Sequence, residues 1–224
     1  MTGRNGAALV IVALIALALL FGRGGAEDQN QPGEFDYYVL VLGWSPSYCK
    51  LEGRKKRDRQ CDMNEPRSFV LHGLWPQYDK GWPLDCPTED KPWVPRRVID
   101  EMLDIMPSSR LIIHEYRAHG TCSGQSPAQY YSTARELYKR IKVPPRFASP
   151  TAGLTLSPEE IERDFLVAND WLKPDMLAVT CRGQNLLDVR VCFGRDLFPT
   201  KCGVNEDEKR LCDTPKISVP RANH

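Results

Sequence analysis

The chain has 224 residues, with 30 Lys and Arg against 29 Asp and Glu for a formal charge of +1, and it is 42% hydrophobic and 26% charged. These values exclude a disordered, collagen-like or coiled-coil chain and allow one domain or at most two. Eight Cys, an even count, suit four disulfides, and four His are few enough to question one by one.

Arg4 precedes an apolar run over residues 7–21. The run is at the long end for a signal-peptide core and short for a membrane-spanning helix. Gly24 and Ala26 fit the small-x-small cleavage pattern, so residues 1–26 are read as a signal peptide and 27–224 as a single domain, an uncleaved membrane anchor being the alternative. Cleavage removes Arg4 and Arg23 and no acid, leaving 28 basic against 29 acidic side chains and a charge of −1. A chain so nearly neutral has no global field for nucleic acid, and any such binding rests on a local site. Export, to the periplasm or beyond the cell, places the Cys in an oxidising compartment where disulfides persist.

Residues 35–44 (FDYYVLVLGW) are rich in aromatic and β-branched side chains and predict a buried strand ended by a turn at Pro46. The basic run 54–59 between Cys49 and Cys61 reads as a solvated loop that is also able to attract phosphates. A short strand over 68–71 leads into His72-Gly73-Leu74-Trp75-Pro76, and 79–96 is a loop rich in Pro, Gly and charge. Helices are predicted over 95–106, from a Ser108 or Ser109 cap to about 119, from Ser126-Pro127 to about 142, and from the capping box at Ser157 to about 169. Residues 176–181 and 186–193 read as paired strands joined through Gly183. Strands early, helices in the middle and strands late predict an α+β fold, a central antiparallel sheet flanked by helices.

Three of the four His fall in two short segments, His72 in FVLHGLWPQ and His114 and His119 in HEYRAHGTC, while His224 is the final residue. A zinc-protease helix needs His at i and i+4; His114 and His119 are five apart and differ by about 140° on a helix. With the Cys oxidised and no cluster of acidic ligands, no metal is expected. Glu115 and His119 are four apart and share a helical face, so the carboxylate is expected beside that imidazole, raising its pKa. Two His from distant segments make an acid–base pair of the kind RNA transphosphorylation requires, the 2′-OH itself being the nucleophile.

These segments resemble the two active-site segments of the ribonuclease T2 family, whose patterns are roughly F-x-x-H-G-L-W-P and H-E-(W/Y)-x-K-H-G-x-C. Trp44-Ser45-Pro46-Ser47-Tyr48-Cys49 and Leu187-Asp188-Val189-Arg190-Val191-Cys192 are similar to two further family stretches, so the likeness spans about residues 35–212. It implies an endoribonuclease acting on single-stranded RNA through a 2′,3′-cyclic phosphate to 3′-phosphate ends. His119 is then the general base and His72 the general acid, with Glu115 supporting His119 and the transition state. His114 binds phosphate, Trp75 builds the base pocket, and Gln77 stands where some members contact the base. The family's Lys before the second His is Ala118 here; either Arg117 substitutes, or another cation does, or the reaction is slower.

Eight Cys allow 105 pairings. The resemblance implies Cys86–Cys122, Cys181–Cys212 and Cys192–Cys202, with Cys49–Cys61 remaining. It also implies no cofactor, no metal, no stable membrane insertion after cleavage, and a monomer with RNA as its partner. The competing reading is a catalytically weak or inactive RNA- or protein-binding member of the same fold.

Overall fold

A computed structural model describes residues 30–148, 150 and 152–222; the apolar run, the expected cleavage point after Ala26, and His224 lie outside the described residues. Strand β1, Tyr37–Trp44, is buried along its whole length. Its side chains alternate between two environments, as a pleated strand requires. Tyr38, Leu40, Leu42 and Trp44 enter the main core, while Tyr37, Val39 and Val41 form a second cluster with Cys192, against which Trp75 packs. Two flanking strands pair with it antiparallel, β2 (Phe69–Gln77) on one side and β5 (Asn185–Gly194) on the other. β4 (Leu177–Arg182) pairs antiparallel with β5.

Four helices supply the main core: α1 (Arg96–Met102), α2 (Ser109–Glu115), α3 (Pro127–Arg140) and α4 (Pro158–Ala168). Their starts are written in side chains. Ser108 Oγ accepts from the Leu111 N–H, and Ser126 with Gln129 and Ser157 with Glu160 form capping boxes. The helices pack on the face that carries Leu40 and Leu42 and leave the Val39–Val41 face to the site.

The fold is α+β as expected, with three differences. First, β2 runs on through the whole of His72-Gly73-Leu74-Trp75-Pro76-Gln77 instead of ending at residue 71, because Tyr37 to Trp44 offer partners along that length. The register steps between Val41, opposite Gly73, and Leu42, opposite Leu71, so His72 is the extra residue of a bulge. Bulges re-aim a side chain. Pro76 is tolerated because β2 is the last strand of the sheet. The outer edge of β2 is closed by side-chain and loop contacts: Tyr130 Oη donates to the Leu74 carbonyl at 2.8 Å and accepts from its N–H at 3.3 Å, and the Leu71 N–H donates to the Ile105 carbonyl at 3.0 Å.

Second, the helix from Ser108 stops being regular at Glu115. It widens into a π-type turn over Tyr116–Gly120, tightens over Thr121–Ser123 and ends at Gly124, whose φ of +72° suits glycine. Third, two three-residue strands extend the sheet, β3 (Leu154–Leu156) and β6 (Ile217–Val219), antiparallel to each other. A single parallel pair, Asn185 with Ser218, joins β6 to β5, so the sheet is mixed and not wholly antiparallel.

The eight Cys form Cys49–Cys61, Cys86–Cys122, Cys181–Cys212 and Cys192–Cys202, the pairings the resemblance implies. Cys86–Cys122 ties the loop after β2 to the turn after His119. Beside it the Asp85 N–H donates to the Ala118 carbonyl at 2.9 Å. Among the described residues no helix is long and apolar enough to cross a membrane.

Replacing Tyr130 with Phe leaves the Leu74 amide and carbonyl without their buried partner. Tyr130→Phe is therefore expected to lower unfolding free energy by about 1–3 kcal/mol. Urea denaturation measures this, and an unchanged midpoint and slope would show that the Tyr130 hydroxyl does not hold the β2 edge.

Candidate active site

The site is built on the face of the sheet opposite the helical core. β2 contributes His72 from its bulge and Trp75, which stands opposite Val39 of β1. The end of α2 and the π-type turn contribute Glu115 and His119. Glu115 is almost fully buried, with 1% of its side chain exposed. Its Oε2 accepts from Trp75 Nε1 at 2.7 Å, and its Oε1 lies 3.3 Å from His72 Nε2. Gly73 makes room for this: a Cβ there would collide with Glu115 Oε2 and come within 2.7 Å of Trp75 Nε1.

The direct partner of Glu115 is thus His72, not His119. The expected raised pKa at His119 is corrected with it. Burial dominates at His119 and pulls its pKa down to about 4, the Glu115 charge only partly opposing. The ring Nδ1 is buried without a hydrogen-bond partner, so a doubly protonated ring would hold an unpaired buried N–H. At His72 burial also favours the neutral ring, but the charge and hydrogen bond of Glu115 outweigh it and raise the pKa above the ordinary imidazole value. Burial works against the Glu115 carboxylate as well; the His72 charge, the hydrogen bond to His72, the His119 charge and the Trp75 donor win, and its pKa is lowered. At weakly acidic pH, one imidazole is therefore neutral and the other cationic.

Trp75 stands between them. Its ring stacks on His119 with centroids 4.9 Å apart and meets His72 edge-on at 5.7 Å. Arg190 lies over it at 5.1 Å. The resemblance implies Trp75 as a wall of the base pocket; here its contacts are with the site's own side chains. Two cavities adjoin it. The first, of about 430 Å³, contains His119, Gln77, Trp82, Asn205 and Arg210. The second, of about 200 Å³, contains His72, Tyr48, Asp58, Gln60 and Asp188. Among the described residues only Trp75 and Arg190 line both.

Gln77 is buried at the base of the first cavity, where its Nε2 donates to the Pro76 carbonyl at 3.0 Å and its Oε1 accepts from Asn205 at 3.2 Å. His114 is exposed in the last turn of α2 and lines neither cavity, although its charge acts on His119. Arg117 does not join the site: its Nε donates to the Pro92 carbonyl at 3.3 Å, and it lines a separate groove with Asp85 and Lys91. Of the basic run, Lys56 pairs with Glu52, and none of residues 54–57 lines either cavity; Asp58 does. Among the described residues no group of three His, Cys, Asp or Glu is arranged to hold a metal ion.

Sequence reading passes over Asp188, Arg190, Trp82 and Asn205 as site residues. A signal for the first two exists. Asp188 and Arg190 alternate with Val189, Val191 and Phe193 in a strand that is otherwise apolar, which places charge on one face of an interior strand.

The sequence matches the family model described as Ribonuclease T2 family over residues 35–202. A ribonuclease of Aeromonas hydrophila is 36% identical over 140 residues, 62% of this chain and 61% of the relative. A probable ribonuclease of Haemophilus influenzae is 34% identical over 128 residues, 52% of this chain and 47% of that protein, so the chain spans about half to three-fifths of the length of these two. Among solved structures, an RNase-related protein from Calystegia sepium superposes with a TM-score of 0.66 at 23% identity, covering 85% of this chain and 99% of that one, a likeness of fold.

Glu115→Gln removes the charge that holds His72 cationic and keeps the burial that opposes it. The His72 pKa is expected to fall below the ordinary value of about 6.5. An NMR titration of the imidazole resonances reads this directly, and an unmoved His72 pKa would break the assignment of Glu115 as its partner.

Proposed function

The chain belongs to the ribonuclease T2 family, and on that premise we propose that it is a metal-independent endoribonuclease that cleaves single-stranded RNA by transphosphorylation. The observation that carries the reading is the pair of imidazoles on either side of Trp75 with opposite pKa shifts, both traced to burial and one carboxylate. A phosphodiester whose flanking nucleosides enter the two cavities has its phosphorus near Trp75, where the cavities meet.

His119, neutral above about pH 4, takes the proton of the 2′-OH. The 2′ oxygen attacks phosphorus and forms the cyclic phosphate. The 5′ oxygen leaves with the proton of His72, which Glu115 keeps cationic. In the second half-reaction the roles reverse: His72 takes a proton from water, water opens the cyclic ester, and His119 protonates the 2′ oxygen to leave a 3′-phosphate. Both proton transfers are complete without a metal. RNA is selected because DNA lacks the nucleophile, and single strands because bases must be unstacked to enter cavities of this depth. Trp82 is the exposed aromatic face at the first cavity, and Gln77 and Asn205 supply polar contacts to a base.

Four disulfides suit an oxidising compartment, and with the apolar run at residues 7–21 they support export with cleavage after Ala26. A non-catalytic RNA-binding protein with the same fold is the rival.

One assay separates the readings. The purified protein is incubated with RNA and with DNA in EDTA, alongside His119→Ala. Cleavage of RNA alone, indifferent to EDTA and lost in the variant, is expected. DNA cleavage or inhibition by EDTA would reject the mechanism, and RNA binding without cleavage would favour the rival. Neutral His119 and cationic His72 together define the active form. The pH profile of kcat/KM is therefore expected to rise through about 4 as His119 loses its proton. It falls above the ordinary imidazole value of about 6.5 as His72 does. A profile still rising through neutrality would reject a neutral His119 and a cationic His72 as the active form.

A further inference from the structure

The proton transfers of the ribonuclease reading, on which this inference rests, leave one charge without a partner. Attack of the 2′ oxygen concentrates negative charge on the non-bridging oxygens of phosphorus, and a fixed cation aimed there lowers the barrier. The chain next to His119 does not provide it. Ala118 is a buried methyl group, and Arg117 is turned to the Pro92 carbonyl. We propose that Arg190, reaching in from β5 on the far side of β1, is the catalytic cation that binds the scissile phosphate and holds the charge of the transition state.

The placement comes from the sheet. Arg190 pairs with Val41, and Val39, two residues along the same face, pairs with Trp75. The guanidinium therefore crosses β1 diagonally to lie 5.1 Å over the Trp75 ring. The first cavity contains His119 and the second His72, and Arg190 is the charged side chain common to both. A group at that junction stands where the phosphate joins the two nucleosides. Arg210 lines the first cavity alone and is exposed.

Arg190 is also held as a catalytic group must be, with only 16% of its side chain exposed. Its Nε donates to Asp188 Oδ1 at 3.1 Å, and Nη1 lies 3.6 Å from Glu206 Oε1. These contacts orient the fork and leave guanidinium N–H groups to spare. Glu206 offsets its charge little, because its carboxyl accepts from the Tyr37 hydroxyl and is pushed by burial toward its neutral form, which leaves Asp188 as the close ion-pair partner on one edge of the guanidinium.

The test compares wild type, Arg190→Gln, Arg190→Lys and Arg96→Gln on a dinucleoside monophosphate, with thermal unfolding as the check on folding. Arg190→Gln is expected to lose about 10²–10³-fold in kcat, the loss typical of a removed transition-state donor. KM should change far less, added guanidinium should restore part of the rate, and Arg190→Lys should retain more activity than the Gln variant. Arg96→Gln, which changes an exposed arginine paired with Asp100 on α1 and outside both cavities, should keep its kcat. Wild-type kcat in Arg190→Gln, or a loss confined to KM, overturns the inference while leaving the ribonuclease reading intact. A wild type that does not cleave overturns both. A second measurement needs no variant: titrating inorganic phosphate into the wild type should shift the Arg190 Nε–H resonance, and an unmoved resonance overturns the proposal even where Arg190→Gln does not fold.

Discussion

The site depends on one buried carboxylate. Glu115 is removed from water, which is tolerable only because each of its oxygens has a partner, Trp75 on one and His72 on the other. Removing one partner leaves a buried oxygen of that carboxylate unpaired, which typically costs a fold about 1–3 kcal/mol. Much of the surrounding architecture serves that contact. Gly73 leaves space for it, the bulge turns His72 toward it, and Tyr130 and Ile105 hold the edge of the strand that carries both partners. Cys86–Cys122 then closes the segment bearing His119 against the loop that comes after that strand.

Strand alternation divides the labour. Even-numbered positions of β1 bury themselves among the helices and stabilise the fold; odd-numbered positions carry a second layer, on which Trp75 and Arg190 rest. Because side chains on the two faces of one strand cannot exchange places without a register slip, the site inherits the rigidity of the core without drawing on its residues. The turn bearing His119 is irregular, and the widening after Glu115 is held in place by the Asp85–Ala118 hydrogen bond and the neighbouring disulfide.

The long elements are legible in the sequence because their signals are local. Ser126 with Gln129 and Ser157 with Glu160 mark helix starts by direct side-chain bonds, and β1 and β5 are apolar runs of strand length. The three residues of β3 and of β6 show no period to read, and they exist because each finds the other. Strand β2 reads only to Leu71 because a Gly and a Pro follow, yet pairing with β1 carries it through Gln77. The two histidine-bearing segments stand out by composition. Which imidazole faces the carboxylate does not, since a spacing of four implies contact only where the helix stays regular, and here it widens at Tyr116. Arg117 is attractive for its place in the chain and fails because its side chain turns outward, whereas Arg190 is remote in sequence and comes near only through the pairing of β5 with β1.

A single carboxylate serves two histidines only because it is placed unequally. Were Glu115 equidistant from both rings, it would raise both pKa values together, and nothing in its placement would fix which ring is empty and which is loaded. The ion pair goes to His72, whose pKa rises, while His119 keeps a neighbour in Trp75 that offers a ring face and no charge, so burial prevails and its pKa falls. Trp75 enforces that difference: its N–H occupies the second oxygen of Glu115, and its ring stacks on His119. The asymmetry between the two imidazoles, on which the proposed acid–base chemistry rests, is thus a consequence of where one indole sits.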